Sequence, residues 1–346
     1  MKVNSQVFRA YDIRGIVNEE LSDELVKKLG KAIGTLLRRN NSDALNVCRD
    51  GRLSGPHISE LFIEGVLSTG CNVCNLDLGP TPLLYFSTFK TSIRNGVMIT
   101  GSHNPKNYNG FKIVVNQKPL SGESITEIKN LIENEDFISG EGKEQKTPLL
   151  EGYQTESKSK INLKRTLKIV LDCGNGAGGS VAPKLFKDLG IELIELYSEV
   201  DGNFPNHHPD PGNPENLKDL VIKVKENKAH LGIALDGDAD RLGVVDNKGN
   251  IIFPDQYMSL IADQILKNNS GRKIVFDVKC SSKLKESISK SKGVPIMTRT
   301  GHSFIKEEIF KQNAILGGEM SGHIFFNDDW YGFDDGIYSA LRLIEI

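Results

Sequence analysis

Asp236, Asp238 and Asp240 stand at alternate positions in LGIALDGDADRLGVVD, where an apolar strand empties into three acids and the chain then re-enters an apolar run. Like charges held between two buried strands repel unless a cation sits among them. In a tight glycine-containing loop the three carboxylates offer hard oxygen ligands suited to Mg2+. They do not form an EF-hand, because its sixth position would be Arg241 rather than glycine and its twelfth Asn247 rather than glutamate. A second loop offers a nucleophile. In VMITGSHNPKNYNGFKIVV a buried strand opens into Gly101, Ser102, His103, Asn104 and Pro105 before the chain returns as FKIVV. A serine on a glycine-preceded turn at a strand end is expected to be exposed enough to attack an electrophile, although serines in turns more often cap backbone. Lys112, on the return run, can neutralise a phosphate or shuttle a proton.

Two further loops carry polar groups that can hydrogen-bond hydroxyls: LGGEMSGHIFF, with Glu319, Ser321 and His323, and TRTGHSF, with Arg299 and His302. FRAYDIRGIV places Arg9 and Arg14 around a short apolar run, where they read as surface arginines. Gly174, Gly176 and Gly179 in CGNGAGG match the dinucleotide-binding spacing, with Glu192 or Glu195 near the expected acidic position. Against that reading, Asp172 just before the loop would repel a pyrophosphate, and two sibling segments hold the same place without the glycines. The prolines and asparagines around His207, His208 and Asp210 suit a rigid surface connection. Cys71 and Cys74 lie inside the strand-like run CNVCNLDL with no second pair, which argues against redox or zinc chemistry.

The elements that must position these loops repeat. LNVCRD, LKIVLD and RKIVFD are short apolar strands ending in Asp50, Asp172 and Asp277. Each continues into a helix-periodic segment, a glycine C-cap at Gly70, Gly190 or Gly293, and a second strand. These are βαβ units, so the chain reads as three tandem, related mixed-sheet α/β domains spanning 1–148, 149–250 and 251–346. The first carries the serine loop, the second the aspartate loop and the third the Glu319 loop. The polar stretch from Ser139 to Lys160 marks the first boundary and VVDNKGNIIFPDQ the second, while GIYSALRLIEI ends as an uncapped helical run that looks cut. Lys and Arg total 43 against 45 Asp and Glu, so no long-range field favours nucleic acid or anionic lipid. With no apolar leader, no membrane-length run and an odd, scattered set of 5 cysteines, a cytoplasmic protein without a disulfide framework is expected.

The ordered set YDIRG, TGSHNP, GFK, DGDADR, TGH and GEMSGH resembles the α-D-phosphohexomutases, most closely the bacterial phosphomannomutase/phosphoglucomutase group, over essentially the whole chain. The resemblance implies related α/β domains around a cleft and an isomerase that moves phosphate between the 1- and 6-hydroxyls of a hexose. Ser102 would be the phosphoserine, and Asp236, Asp238 and Asp240 would hold one Mg2+ that a phosphate oxygen on Ser102 also meets. His103 and Arg241 would flank that centre. Lys112 and Arg14 would stabilise the transferring group or assist proton transfer, and Tyr11 would line the cavity. Glu319 and Ser321, with His323 close by, would recognise sugar hydroxyls, and His302 and Lys279 would take proton or substrate roles. A hexose 1,6-bisphosphate activator, a phosphosugar as the only partner and a monomer or weak homodimer complete the expectation. Met320 favours this group over phosphoglucosamine mutase, whose loop usually has glutamine there. A phosphoserine-using phosphatase is a competing reading, because a serine beside an aspartate-held metal could also hand the phosphoryl group to water; the family's fourth domain, which clamps the distal phosphate, is not expected in these residues, so an impaired phosphosugar-binding fragment is the other.

Overall fold

The computed structural model describes residues 3–9 and 12–346, so Tyr11 lies outside the described residues. Two compact units result, one ending at Glu151 and taking in Asp201–Asn203, the other formed by Gly152–Val200 and Phe204–Ile346. In the first unit the elements are β1 (Ile13–Ile16), α1 (Asp23–Arg39), β2 (Ala44–Arg49), α2 (Gly55–Leu67), β3 (Asn72–Leu78), α3 (Thr81–Lys90), β4 (Gly96–Ile99), β5 (Tyr108–Val115), β6 (Lys118–Pro119), α4 (Glu123–Glu133) and β7 (Glu144–Lys146). The sheet order is β1-β5-β4-β2-β3-β7, with β6 added to β5. Strands β4, β2, β3 and β7 are parallel, and β5 runs antiparallel to β4 and β1. Helix α1 shows why the local sequence folds this way. Ser22 caps it by accepting from the Leu25 N–H, Asp23 and Glu24 sit at its positive end, and Arg38 and Arg39 at its negative end.

Helix α5 (Leu150–Ser159) leads into the second unit. There follow β8 (Lys168–Asp172), a short 3-10 turn at Ala177–Ser180, α6 (Ala182–Asp188), β9 (Glu192–Leu196), α7 (Lys218–Glu226), β10 (Leu231–Leu235), β11 (Leu242–Asp246) and β12 (Ile251–Ile252). The last stretch gives α8 (Pro254–Leu266), β13 (Lys273–Asp277), α9 (Ser282–Lys290), β14 (Val294–Thr298), α10 (His302–Gln312), β15 (Leu316–Gly318), β16 (Ile324–Phe326) and α11 (Gly336–Glu345). Two sheets form, β12-β11-β10-β8-β9 and β14-β13-β15-β16. Each keeps a parallel centre with an antiparallel strand on one side, as the first unit does, so the mixed α/β repeat of the sequence is present three times. Among the described residues no helix is long and apolar enough to cross a membrane.

The acid that ends the first strand of each repeat is buried and gathers the neighbouring loops. Asp50 accepts from Thr100 Oγ1 at 2.7 Å and the Gly101 N–H at 3.2 Å. Asp172 accepts from the Gly174 N–H at 2.8 Å and meets His207 Nε2 at 3.0 Å. Asp277 accepts from Thr300 Oγ1 at 2.8 Å and the Met320 N–H at 3.2 Å. A carboxylate taking several such donors organises the carboxyl end of its sheet, where α/β proteins bind ligands.

Several local expectations change. Gly70 and Gly190 hold positive φ as C-caps, but in the third repeat Lys292, at φ 63°, takes that place and Gly293 does not. Gly293 instead packs so tightly that a Cβ would lie 2.6 Å from Leu266 Cδ1. The polar stretch 139–160 is not a bare linker, since it contributes β7 to the first sheet and the helix α5. The His207 loop is more than the rigid surface connection expected, because His207 is tied to buried Asp172. Cys71 is buried, and burial pushes its thiol up to about 12, which removes thiolate chemistry at neutral pH.

Candidate active site

Strand β10 delivers Asp236 into a turn closed by the Ala239 N–H donating to the Asp236 carbonyl at 3.1 Å, with Ala239 in the left-handed region at φ 59°. This folds Asp236, Asp238 and Asp240 onto one side, and an oxygen from each lies within 4.8 Å of the others. All three are 0 % exposed. Three hard oxygen donors converging without sulfur suit a divalent cation of the Mg2+ kind. The loop is reached closely from three directions. A Cβ on Gly176 would lie 2.7 Å from the Gly237 carbonyl, one on Gly322 2.8 Å from the Leu242 carbonyl, and one on Gly336 2.6 Å from the Arg241 carbonyl. The dinucleotide-like glycines serve packing and turn geometry: Gly176 lies against the aspartate loop, Gly179 against the Ser198 carbonyl, and Gly174 takes a positive φ of 52° beside Pro209.

Arg241 and the Glu319 loop complete this side. The Arg241 N–H donates to Asp236 Oδ1 at 3.1 Å, and the Leu242 N–H donates to the Gly322 carbonyl at 3.1 Å. His323 places Nε2 3.2 Å from Asp240 Oδ1 and Nδ1 3.1 Å from Glu319 Oε2. Burial pulls its pKa down, but the Asp240 charge and the hydrogen bonds to Asp240 and Glu319 outweigh burial and Arg241, raising it to about 9. Each of its ring nitrogens faces a carboxylate, and Arg241 Nε also lies 3.4 Å from Nε2. Glu319 is committed as well, since its Oε1 accepts from the Gly301 N–H at 2.5 Å. Burial raises the Glu319 pKa and the His323 cation lowers it, with a net downward shift. Ser321 Oγ lies 2.9 Å from His323 Nδ1.

His302, at the start of α10, stacks on His323 with ring centroids 5.5 Å apart. Its Nδ1 faces Asp334 Oδ2 at 3.4 Å, and Lys306 Nζ donates to Asp334 Oδ1 at 2.7 Å. Burial and then Lys306 lower the His302 pKa more than Asp334 raises it, so the ring is neutral at pH 7. Asp240, His323 and Asp334 also bring ligand-type atoms within 4.8 Å of one another. His323 is already engaged by Asp240, Glu319 and Arg241, and Lys306 holds Asp334, so that trio is a poor metal site. Lys279, expected at the substrate, is exposed on the loop after β13.

In the first unit Ser102 sits in a turn after β4 at φ 48°, a left-handed backbone that costs a non-glycine residue about 1–2 kcal/mol. It is 3 % exposed, so the sequence expectation of an exposed serine is corrected: the turn that carries it is tucked in by Asp50, Thr100 and Arg52. Its Oγ lies 3.1 Å from His103 Nδ1. Arg14 pairs with Gly110 across β1 and β5, two residues from Lys112, which places Arg14 and Lys112 on the same sheet face. Arg14 is no plain surface arginine, since it forms an ion pair with buried Asp12 and its side chain is 12 % exposed. Arg9 is exposed. Sequence reasoning missed Arg52, Lys306 and Asp334. The adjacent acids at 334–335 ahead of a helix were the available signal for the last.

Comparison with known proteins was consistent along the chain. Family profiles for phosphoglucomutase/phosphomannomutase α/β/α domains I, II and III match residues 5–139, 150–249 and 253–346. A phosphomannomutase/phosphoglucomutase of Pseudomonas syringae pv. tomato is 51% identical over 340 residues, covering 98% of this chain and 73% of its own length. A phosphoglucomutase of Neisseria gonorrhoeae is 45% identical over 346 residues, covering 99% and 75%. The crystal structure of a phosphoglucomutase/phosphomannomutase family protein from Burkholderia thailandensis superposes with a TM-score of 0.97 at 42% identity, over 99% of this chain and 77% of that one.

Proposed function

The chain belongs to the phosphoglucomutase/phosphomannomutase family, and on that premise we propose that it is a phosphohexomutase interconverting hexose 1-phosphate and hexose 6-phosphate through a phosphoserine at Ser102 and a bisphosphorylated sugar. The observation that carries the reading is the aspartate loop. Three buried carboxylates converge there and bond directly, through Leu242 and Arg241, to the loop that holds Glu319, Ser321 and His323.

Phosphoryl transfer leaves the protein little covalent work, so positioning and charge neutralisation dominate. Ser102 carries the phosphoryl group, gives it to one hydroxyl of the hexose phosphate, and takes back the phosphate at the other position after the bisphosphorylated sugar turns over. Lys112 and Arg14 on one sheet face neutralise phosphoryl oxygens in that reading, and His103 holds the Ser102 hydroxyl. Neutral His302, backed by Asp334, accepts a proton from an attacking hydroxyl, while the His323 cation offsets negative charge beside Asp240. Mg2+ is the cation proposed for Asp236, Asp238 and Asp240, and when bound it supplies Lewis-acid neutralisation of the phosphoryl group. Ser321 and Glu319 read sugar hydroxyls, the latter after exchanging its internal bond to Gly301, with Lys279 and Tyr11 on the substrate. A hexose 1,6-bisphosphate primes the serine. The setting proposed is the cytoplasm, with the enzyme as a monomer or weak homodimer.

Glucose 1-phosphate with Mg2+ and a trace of glucose 1,6-bisphosphate tests this reading. Glucose 6-phosphate should form with no nucleotide present. Free phosphate in its place would make the protein a phosphoserine-using phosphatase.

A further inference from the structure

We propose that Arg52 is the positioning residue of the Ser102 loop, an inference that rests on reading Ser102 as the phosphoryl carrier. The Arg52 side chain is 0 % exposed. A guanidinium has five N–H donors in a fixed fork, and here five acceptors meet it. Nε donates to Asp50 Oδ2 at 3.2 Å. Nη1 donates to the carbonyls of Pro105 at 2.6 Å and Tyr108 at 2.9 Å. Nη2 donates to the carbonyls of Ser102 at 2.8 Å and Asn104 at 2.7 Å. Four of the five acceptors are therefore backbone oxygens of the segment 102–108, including that of Ser102 itself.

The other end of the clamp is Asp50, which also takes the Arg52 N–H at 3.0 Å, Thr100 Oγ1 and the Gly101 N–H. Thr100 Oγ1 in turn accepts from the Ser102 N–H at 2.7 Å. Both backbone polar groups of Ser102 are thus fixed, its N–H through Thr100 and its carbonyl by Arg52. This is what holds a serine in the left-handed region at φ 48°. Gly101 belongs to the same device, because a Cβ there would collide with Arg52 Cζ. The fork lies flat against the loop at a place where only glycine leaves room for it. A lysine has one compact ammonium and cannot span four carbonyls and a carboxylate. Phosphoryl transfer depends on a near-attack geometry of the carrier. Loosening the loop therefore slows transfer without removing any group that touches the sugar.

The test compares wild-type protein with Arg52→Lys and Gly101→Ala, each incubated with Mg2+ and glucose 1,6-bisphosphate. The rate and the end-point stoichiometry of phosphate on Ser102 are followed by site-mapped mass spectrometry, with kcat and KM for glucose 1-phosphate measured alongside. The expected result is a fall of at least tenfold in the phosphorylation rate and in kcat for both variants, with KM within twofold of wild type and the end point still near one phosphate per chain. Wild-type rates in both variants would overturn the inference while leaving the Ser102 reading intact. A loss of end-point stoichiometry in proportion to the loss of rate would also overturn it, by showing that Arg52 serves folding only. If the wild-type protein takes no phosphate on Ser102, the reading of Ser102 falls first and the inference goes with it.

Discussion

Ser102 and the three aspartates differ in how much of their role a single side chain carries. For the serine the chemistry is one oxygen, so Ser102→Ala should lower mutase turnover by a factor on the order of 10³ or more, as removing a covalent nucleophile does. A coupled assay for glucose 6-phosphate decides it, and a variant retaining more than roughly a tenth of wild-type kcat contradicts the assignment. For the metal the role is shared among three carboxylates within 4.8 Å. Asp238→Asn keeps the volume but loses a hard anionic donor, so the Mg2+ concentration for half-maximal activity should rise roughly tenfold to a hundredfold. An unchanged Mg2+ titration would remove Asp238 from the ligand set. The aspartate loop was legible from residue types alone, because acids at alternate positions break an apolar run, whereas the serine loop gained weight only as one of an ordered set of motifs. Arg52 was not legible. An arginine two residues beyond a strand end looks solvent-facing, and what buries it is a fork of carbonyls fifty residues away in sequence.

Among the elements, α11 begins on an acid that makes a pH-dependent cap. Asp335 is fully buried, accepts from the Tyr338 N–H at 2.8 Å as N-cap and from Tyr153 OH at 2.9 Å. Burial is the largest influence and lifts its pKa from the ordinary 3.8 to about 7 against those hydrogen bonds. The folded protein therefore binds a proton that the unfolded chain has released between pH 4 and 7, and stability falls as pH rises through that window and levels off above it. The full swing is roughly 4 kcal/mol. Asp335→Asn keeps an N-cap side chain and an acceptor for Tyr153. Thermal midpoints between pH 4 and 8 should be flatter in this variant than in wild type, and identical slopes would refute the account. The close approach behind the aspartate loop makes a second prediction. Gly176→Ala forces a Cβ to within 2.7 Å of the Gly237 carbonyl and should cost about 1–3 kcal/mol in urea unfolding, with weaker Mg2+ binding by calorimetry. Wild-type stability and binding together would show that the loop moves freely. Strands and covering helices were readable because apolar period two and period 3.6 alternate three times along the chain. The cap at Lys292 and the strand β7 in a polar stretch were not, since a neighbouring strand and a packed leucine decide them rather than local propensity.

At the scale of the whole molecule the repeat explains why sites recur at sheet ends. Asp50, Asp172 and Asp277 each end the first strand of a βαβ unit, and each binds loops that carry or brace the proposed site residues. The sequence displayed those acids but not their purpose, because a strand-terminal aspartate reads as a solvated turn until donors from loops 20–50 residues away close on it. The residues that the resemblance brought in, Lys279 and Tyr11 among them, remain proposals whose weight comes from motif order. The central claim is that this chain moves phosphate through Ser102, and site-mapped intact mass tests it most directly. After incubation with isotope-labelled glucose 1,6-bisphosphate and Mg2+, one phosphate-sized addition should map to Ser102, and its label should pass to the sugar and be replaced by unlabelled phosphate when the sugar monophosphate is supplied in excess. A phosphate mapped to another residue, or undiminished turnover in a protein that never carries one, would contradict the account.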